Sequence, residues 1–249
     1  VPTFATLAGA PRTRRAILVL ILPLVAAVAL AAAALVVVSP GNAATATTIK
    51  RWETRLAGLG CNVGRVDGRV DAHTRTAVVR FQTRHRLNPS GRFTTTTRTR
   101  LMAATAKRCD VRPVPARTGT GRRIVISQRQ DWVWLVRADG SIRAQGGMID
   151  AEWLDKKTYT TGSYCGRPAR GNPRTNYSGT QWLYHFVRFA PCGVAFHRVP
   201  VSMRTGRQIH PNWYLGTDEK TSDGCIRLSA KMAAEVWDFT KVKTRVRVV

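Results

Sequence analysis

The chain has 249 residues, 40 of them Lys or Arg and 14 Asp or Glu, for a formal net charge of +26 at neutral pH. An apolar share of 44% can build a packed core, which excludes a disordered polyelectrolyte. The cationic excess favours an anionic partner (nucleic acid, anionic lipid or an anionic wall polymer), yet no long run of consecutive basic residues marks a nucleic-acid tail.

Segment 1–15 carries Arg12, Arg14 and Arg15, and an uncharged apolar run follows from Ala16 to Val38. Those 23 residues would span about 35 Å as a helix, enough to cross a hydrocarbon core. Basic residues ahead of the run hold the N-terminus in the cytoplasm. Ala44-Thr45-Ala46 offers a small-residue cleavage pattern, so segment 16–38 reads as a transmembrane anchor or as a signal sequence. Either reading places the rest of the chain outside the cytoplasm and opposes a nucleic-acid partner. The membrane is a partner only if the segment is retained.

Segment 39–48 is small and polar, a short linker. Ile49, Trp52, Leu56 and Leu59 recur at helical spacing and stop at Gly60. Two similar stretches follow, Gly68 to Val78 and Gly91 to Leu101. Each has a glycine turn, an apolar residue, an Asp or Thr suited to cap a helix, and a helix start. Residues 49–109 are therefore expected to form a small all-α three-helix module. The Asp67-Gly68 turn lacks the spaced carboxylates of a calcium loop. His73 and His85 are expected on exposed helical faces.

Segment 110–122 contains Pro113, Pro115, Gly119 and Gly121 without apolar periodicity, and reads as an interdomain linker. Beyond it, in 123–249, the period changes to two. Ile124 to Ile126 and Trp132 to Val136 read as strands, with a hairpin turn at Ala138-Asp139-Gly140-Ser141 leading into Ile142 to Gln145. Trp182 to Phe189 and Gly193 to His197 also read as strands, Ala230 to Asp238 as a helix, and the Val-rich tail from Val242 as a closing strand. The second region is thus β-rich, sandwich- or barrel-like, with one late helix.

The five cysteines are Cys61, Cys109, Cys165, Cys192 and Cys225. The absence of C-x-x-C and H-E-x-x-H argues against a zinc site. In an oxidising compartment we expect disulfides Cys61–Cys109 and Cys165–Cys192, each contributing roughly 3–4 kcal/mol, although the sequence allows other pairings. Cys225 is then left over, within Thr221-Ser222-Asp223-Gly224-Cys225-Ile226-Arg227-Leu228. Glycine before a cysteine lets backbone N–H groups converge on a developing oxyanion, and a thiolate beside a base is a strong nucleophile. Arg227, two residues on along an extended backbone, would share a face with Cys225. Of the five histidines, His197 ends an apolar strand and is the best candidate base. His185 alternates within a strand as a packed residue would, and His210 precedes Pro211 in what reads as a mobile loop.

Two resemblances rest on these residues. Leu56 to Gly60, Gly64-x-Val66-Asp67-Gly68, Thr74-x-x-Ala77-Val78-x-x-Phe81-Gln82, Leu87 and Gly91 resemble the peptidoglycan-binding domain attached to many bacterial wall enzymes. His197, the loop Arg198 to Thr221, and Ser222-x-Gly224-Cys225-Ile226-Arg227 resemble the L,D-transpeptidase catalytic domain over 123–249. Thr161 to Tyr164, Phe186-x-Arg188-Phe189 and Tyr214 to Thr217 add to that likeness. The second resemblance implies an enzyme that forms 3→3 peptidoglycan cross-links through a cysteine thioester on a tetrapeptide stem, releasing D-Ala, with no metal or organic cofactor. It implies Cys225 as nucleophile and His197 as general base and acid. The backbone of Asp223, Gly224 and Cys225 would form the oxyanion hole, the Arg198 carbonyl would be the third member, and Arg227 would position the donor.

One position departs from the family, which usually has histidine where this chain has Asp223. A carboxylate there raises the thiol pKa unless it is paired, and pairing with Arg227 is expected. The alternatives are a wall-binding protein without catalysis and an L,D-carboxypeptidase that uses water as acceptor.

Overall fold

A computed structural model describes residues 44–249, except residues 152 and 242 and the side chain of residue 192. The apolar run 16–38, and with it the expected anchor or signal helix, lies outside the described residues. Among these, no helix is long and apolar enough to cross a membrane.

Three helices open the described chain: α1 (Ala46–Gly58), α2 (Ala72–Arg84) and α3 (Thr95–Met102). Each is capped by the side chain of the residue before it. Thr45, Asp71 and Thr94 accept the backbone N–H of Thr48, Thr74 and Thr97, respectively, satisfying one of the orphan donors of the first turn. The Thr45 cap starts α1 within the segment expected as linker. Trp52, Leu56, Ala77, Val78, Phe81 and Leu101 fill the space between the helices, and the disulfide Cys61–Cys109 closes the module. His73 and His85 are less free than expected of exposed faces. The His73 ring stacks on Trp213 at 4.7 Å, and His85 Nε2 accepts the Lys107 N–H at 3.0 Å.

Residues 110–122 do not run as a free linker. Arg112 is fully buried, its guanidinium 4.0 Å from the centre of the Trp132 ring, and its carbonyl accepts the Trp134 indole N–H at 2.9 Å. The segment straps the outer face of a sheet, where Val114 joins Val125, Trp134 and Val136.

That sheet contains β1 (Arg123–Ser127), β2 (Trp132–Val136), β3 (Ile142–Gly147), β4 (Thr158–Thr160) and β12 (Arg245–Val248), in the order β3-β2-β1-β12-β4. β12 lies parallel to β1. A second sheet contains β5 (Arg170–Gly171), β8 (Phe186–Arg188), β9 (Ala195–Arg198) and β11 (Ile226–Leu228), in the order β11-β9-β8-β5. A third, smaller one pairs β6 (Arg174–Thr175), β7 (Gln181–Leu183) and β10 (Val201–Ser202), with β7 in the middle.

Helix α4 (Ala230–Phe239) contributes Met232, Ala233, Val236 and Phe239 to one core. Ile124, Ile126, Val133, Leu135, Val246 and Val248 reach it from the first sheet, and Val187, Phe196, Ile226 and Leu228 from the second. Burying each such side chain is worth roughly 1.5–3 kcal/mol. The run 182–189 expected as one strand is broken at Tyr184-His185. His185 takes φ +54° and its N–H donates to Asn172 Oδ1 at 3.0 Å, so the chain leaves the third sheet after Leu183 and enters the second at Phe186.

Candidate active site

Strand alternation on the second sheet builds the site. In β8, Val187 enters the core while Phe186 and Arg188 face a cleft; in β9, Phe196 enters the core while His197 faces the cleft. β11 runs parallel to β9 with Ile226 beside Phe196 and Arg227 beside His197, so the two faces stay in register. Cys225, at the entry to β11, opens on the same side. The cleft has a volume of about 720 Å³, and Cys225, His197, Ser222, Asp223 and Arg227 all line it.

His197 is 2% exposed, and its Nδ1 lies 2.6 Å from the Arg198 carbonyl oxygen. A carbonyl only accepts, so Nδ1 carries the proton of the neutral ring and Nε2 keeps the lone pair. The ring is parallel to that of Phe186, with centroids 6.3 Å apart. Burial pushes the imidazole pKa down to about 4; the Arg198 carbonyl opposes this and the Arg227 charge adds to it.

Among the described residues, Cys225 is the free cysteine, whereas Cys165 is disulfide-bonded. The Cys225 thiol donates to Gly193 O at 3.3 Å. Burial pushes the thiol pKa up, opposed by the Ala195 N–H and by the Arg227 and Arg188 charges, while Asp223 adds to the rise.

The turn before Cys225 is fixed by Ser222. Its hydroxyl donates to the Cys225 carbonyl and accepts the Gly224 N–H at 3.1 Å. The Gly224 N–H, expected in an oxyanion hole, is thus taken up within the turn. Gly224 has φ +144°, which demands glycine, and a Cβ there would lie 2.8 Å from the exposed Trp153 ring, which would have to shift. The expected pairing of Asp223 with Arg227 is not formed. Arg227 Nη1 donates instead to the Thr221 carbonyl at 3.1 Å, and Asp223 acts on the guanidinium only through its field.

The loop between His197 and Cys225 is anchored rather than loose. His210 is buried, with Nδ1 3.0 Å from the Pro211 carbonyl oxygen. Arg80, a buried residue of α2, donates to the carbonyls of Leu215 (2.9 Å), Cys61 (2.9 Å) and Trp213. The helical module therefore holds the loop that leads into the cysteine turn. Arg80 carried no signal in the sequence, because an arginine in a helix reads as solvated. Trp153 at the cysteine turn, and Arg167 and Arg174 on the cleft wall, were missed as well, and Arg188 was named only within the Phe186-x-Arg188-Phe189 likeness, with no role of its own. For Arg188, its place two residues from Phe186 was the available clue.

No group of His, Cys, Asp or Glu among the described residues could hold a metal ion. Asp131 and Asp218 face a smaller cavity with Lys156 and Lys220. Burial, together with a hydrogen bond to Asp218, pushes the Asp131 carboxyl up to about 9, which keeps it protonated at neutral pH.

No curated protein matches the chain. Among solved structures, an L,D-transpeptidase from Xylanimonas cellulosilytica is similar at 19% identity, with a TM-score of 0.47, over 81% of this chain and 92% of that one. An L,D-transpeptidase from Stackebrandtia nassauensis is similar at 18% identity, with a TM-score of 0.40, over 80% and 89% of the two chains. A fused Zn-dependent amidase/peptidase/peptidoglycan-binding protein from Clostridium acetobutylicum is similar at 14% identity, with a TM-score of 0.37, over 82% and 96%. Residues 45–101, which span the three capped helices, match the family described as "Putative peptidoglycan binding domain".

Proposed function

We propose that the chain is an extracytoplasmic, cysteine-dependent acyltransferase of the L,D-transpeptidase kind that works on peptidoglycan stems held near it by the helical module. One observation carries this reading: the free thiol of Cys225 and the Nε2 lone pair of His197 open into one cleft from adjacent parallel strands, with the imidazole tautomer set by Arg198. The Cys225 proton passes to His197 Nε2 as sulfur attacks the carbonyl that follows the diamino residue of a tetrapeptide stem. A C–S bond forms, the C–N bond breaks, and His197 returns the proton to the departing D-Ala amine. The side-chain amine of a second stem then attacks the thioester, giving a 3→3 cross-link and restoring the thiol. The N–H groups of Asp223 and Cys225 receive the oxyanion, with Gly224 supplying the backbone shape. Arg227 orients the donor.

The thiol rests against Gly193 O and carries a raised pKa, so activation comes with the bound acyl donor. The test is the intact mass of residues 44–249 after incubation with a carbapenem, an acylating mimic of the stem. One drug mass on Cys225, absent in His197→Gln, supports the enzyme. A free and unmodified Cys225 sinks it and leaves a wall-binding protein.

A further inference from the structure

Arg188 is 2% exposed, yet no carboxylate is among the charges that act on it. Its Nε reaches only the Pro168 carbonyl, at 3.3 Å, and its buried Nη1 has no hydrogen-bond partner. Apart from Cys225, which opposes its charge only as a thiolate, this buried guanidinium has no counter-charge, and that is costly. The surroundings make it worse. Arg174 and Arg167 are both close enough to depress the Arg188 pKa. Arg174 and Arg188 lie 5.6 and 5.1 Å from the centre of the same Phe186 ring. All three arginines line the cleft that holds Cys225, and among the described residues Asp223 is its one acidic lining residue. Among the described residues, Arg188 is the cleft residue whose guanidinium carries an orphaned buried nitrogen.

We infer that Arg188, flanked by Arg174 and Arg167, is a preformed carboxylate-binding site that receives an acidic group carried by the acyl donor close to the carbonyl under attack. A carboxylate seated there completes the hydrogen bonding of Arg188, offsets three like charges and sets the reach between the anion and Cys225. Naming the bound anion as part of a peptidoglycan stem rests on the function proposed above; the anion site itself does not.

The thiol provides the readout. Iodoacetate and iodoacetamide consume the same thiolate, so the ratio of their alkylation rates at Cys225 is blind to the thiol pKa and reports only attraction of the reagent's carboxylate. In the wild-type chain we expect that ratio to exceed the ratio for a free cysteine by about 10-fold or more, and to collapse in Arg188→Met. Arg188→Lys, which keeps the charge without the planar fork, retains part of it and serves if the Met variant folds poorly. A wild-type ratio no higher than that of free cysteine overturns the site. So does a variant in which both rates fall together at constant ratio, since Arg188 would then serve only the thiolate.

Tetrapeptide stems, each with one carboxylate amidated, are then used to protect Cys225 from iodoacetamide. Amidation that abolishes protection in the wild type but makes no difference in Arg188→Met identifies the bound carboxylate. An elevated reagent ratio without protection by any stem keeps the anion site and removes the stem as its ligand.

Discussion

The helical module and the cleft both bury polar side chains, but they treat them in opposite ways. In the module, Glu53 is completely buried and satisfied: its carboxylate accepts the N–H groups of Asp67 (3.0 Å) and Gly68 (2.8 Å) and the Thr74 hydroxyl (2.9 Å). Gln82, also buried, shares its two amide hydrogens among Ser90 Oγ, the Arg92 carbonyl and Thr97 Oγ1 and accepts the Gly91 N–H, each at 3.0–3.1 Å. In the cleft, His197 is desolvated, the Cys225 thiol is raised, and Arg188 keeps an orphaned nitrogen. Satisfied polar groups hold a shape together, whereas unsatisfied ones wait for something to bind.

The largest effect that separates the two regions is expected at His197. His197→Gln keeps a donor for the Arg198 carbonyl but loses the base. Acylation of Cys225 should fall by about 10²–10⁴-fold, with the urea midpoint nearly unchanged. A large loss of stability with little loss of rate would place His197 among the structural residues instead.

Glu53 should behave in reverse. Glu53→Ala strands three donors in a dry interior and should cost roughly 3–5 kcal/mol in urea unfolding, without touching Cys225 chemistry. The corresponding truncation in the cleft, Arg188→Met, removes an unpaired charge and should leave stability unchanged or raise it by about 1 kcal/mol. If both variants lose stability alike, the distinction between the regions fails.

Acid sharpens the same contrast. The folded protein holds His197 with a pKa of about 4, below the ordinary 6.5. Above pH 6.5 both folded and unfolded chains carry it neutral, so it does not affect stability. As pH falls from 6.5 towards 4, the unfolded chain takes up a proton that the folded chain refuses, and stability declines. The loss approaches on the order of 3 kcal/mol below pH 4. His85 is also held at about 4 and acts in the same direction. Urea titrations of His197→Gln across this range should give a flatter profile than the wild type.

How much was legible follows the same division. The caps Asp71 and Thr94, the α4 helix, and β1 to β3 with their hairpin could be read because their causes are local: side-chain oxygens three residues ahead of a donor, and periods of 3.6 and 2. Thr74, Gln82 and Gly91 could be recognised as a pattern before their purpose was visible, which is to close the hydrogen bonding around buried groups. The cysteine turn and His197 were named from their order in the chain, while their convergence depends on the parallel register of β9 and β11, which only the fold supplies. Arg80 and Arg112 were hidden because a buried arginine and a solvated one look alike in a chain so rich in arginine. The two-residue and three-residue strands around Arg170 to Leu183 are too short for any period to show.

Asp223 should give the smallest effect, and the one most sensitive to local geometry. It adds to the rise that burial gives the Cys225 pKa, and the opposing contributions of Ala195, Arg227 and Arg188 are each larger than its own. It makes no direct ion pair with Arg227, whose Nη1 is committed to Thr221 O. Asp223→Asn should therefore lower the thiol pKa, read from the pH dependence of iodoacetamide alkylation, and speed acylation at neutral pH by about twofold. The pairing expected from sequence predicts the opposite sign: removing a carboxylate that held Arg227 would free the guanidinium from its place near sulfur, and the thiol pKa would rise. A fall means that Asp223 handicaps the nucleophile. A rise means that the bound state draws Asp223 and Arg227 together, and that the aspartate helps to position the arginine.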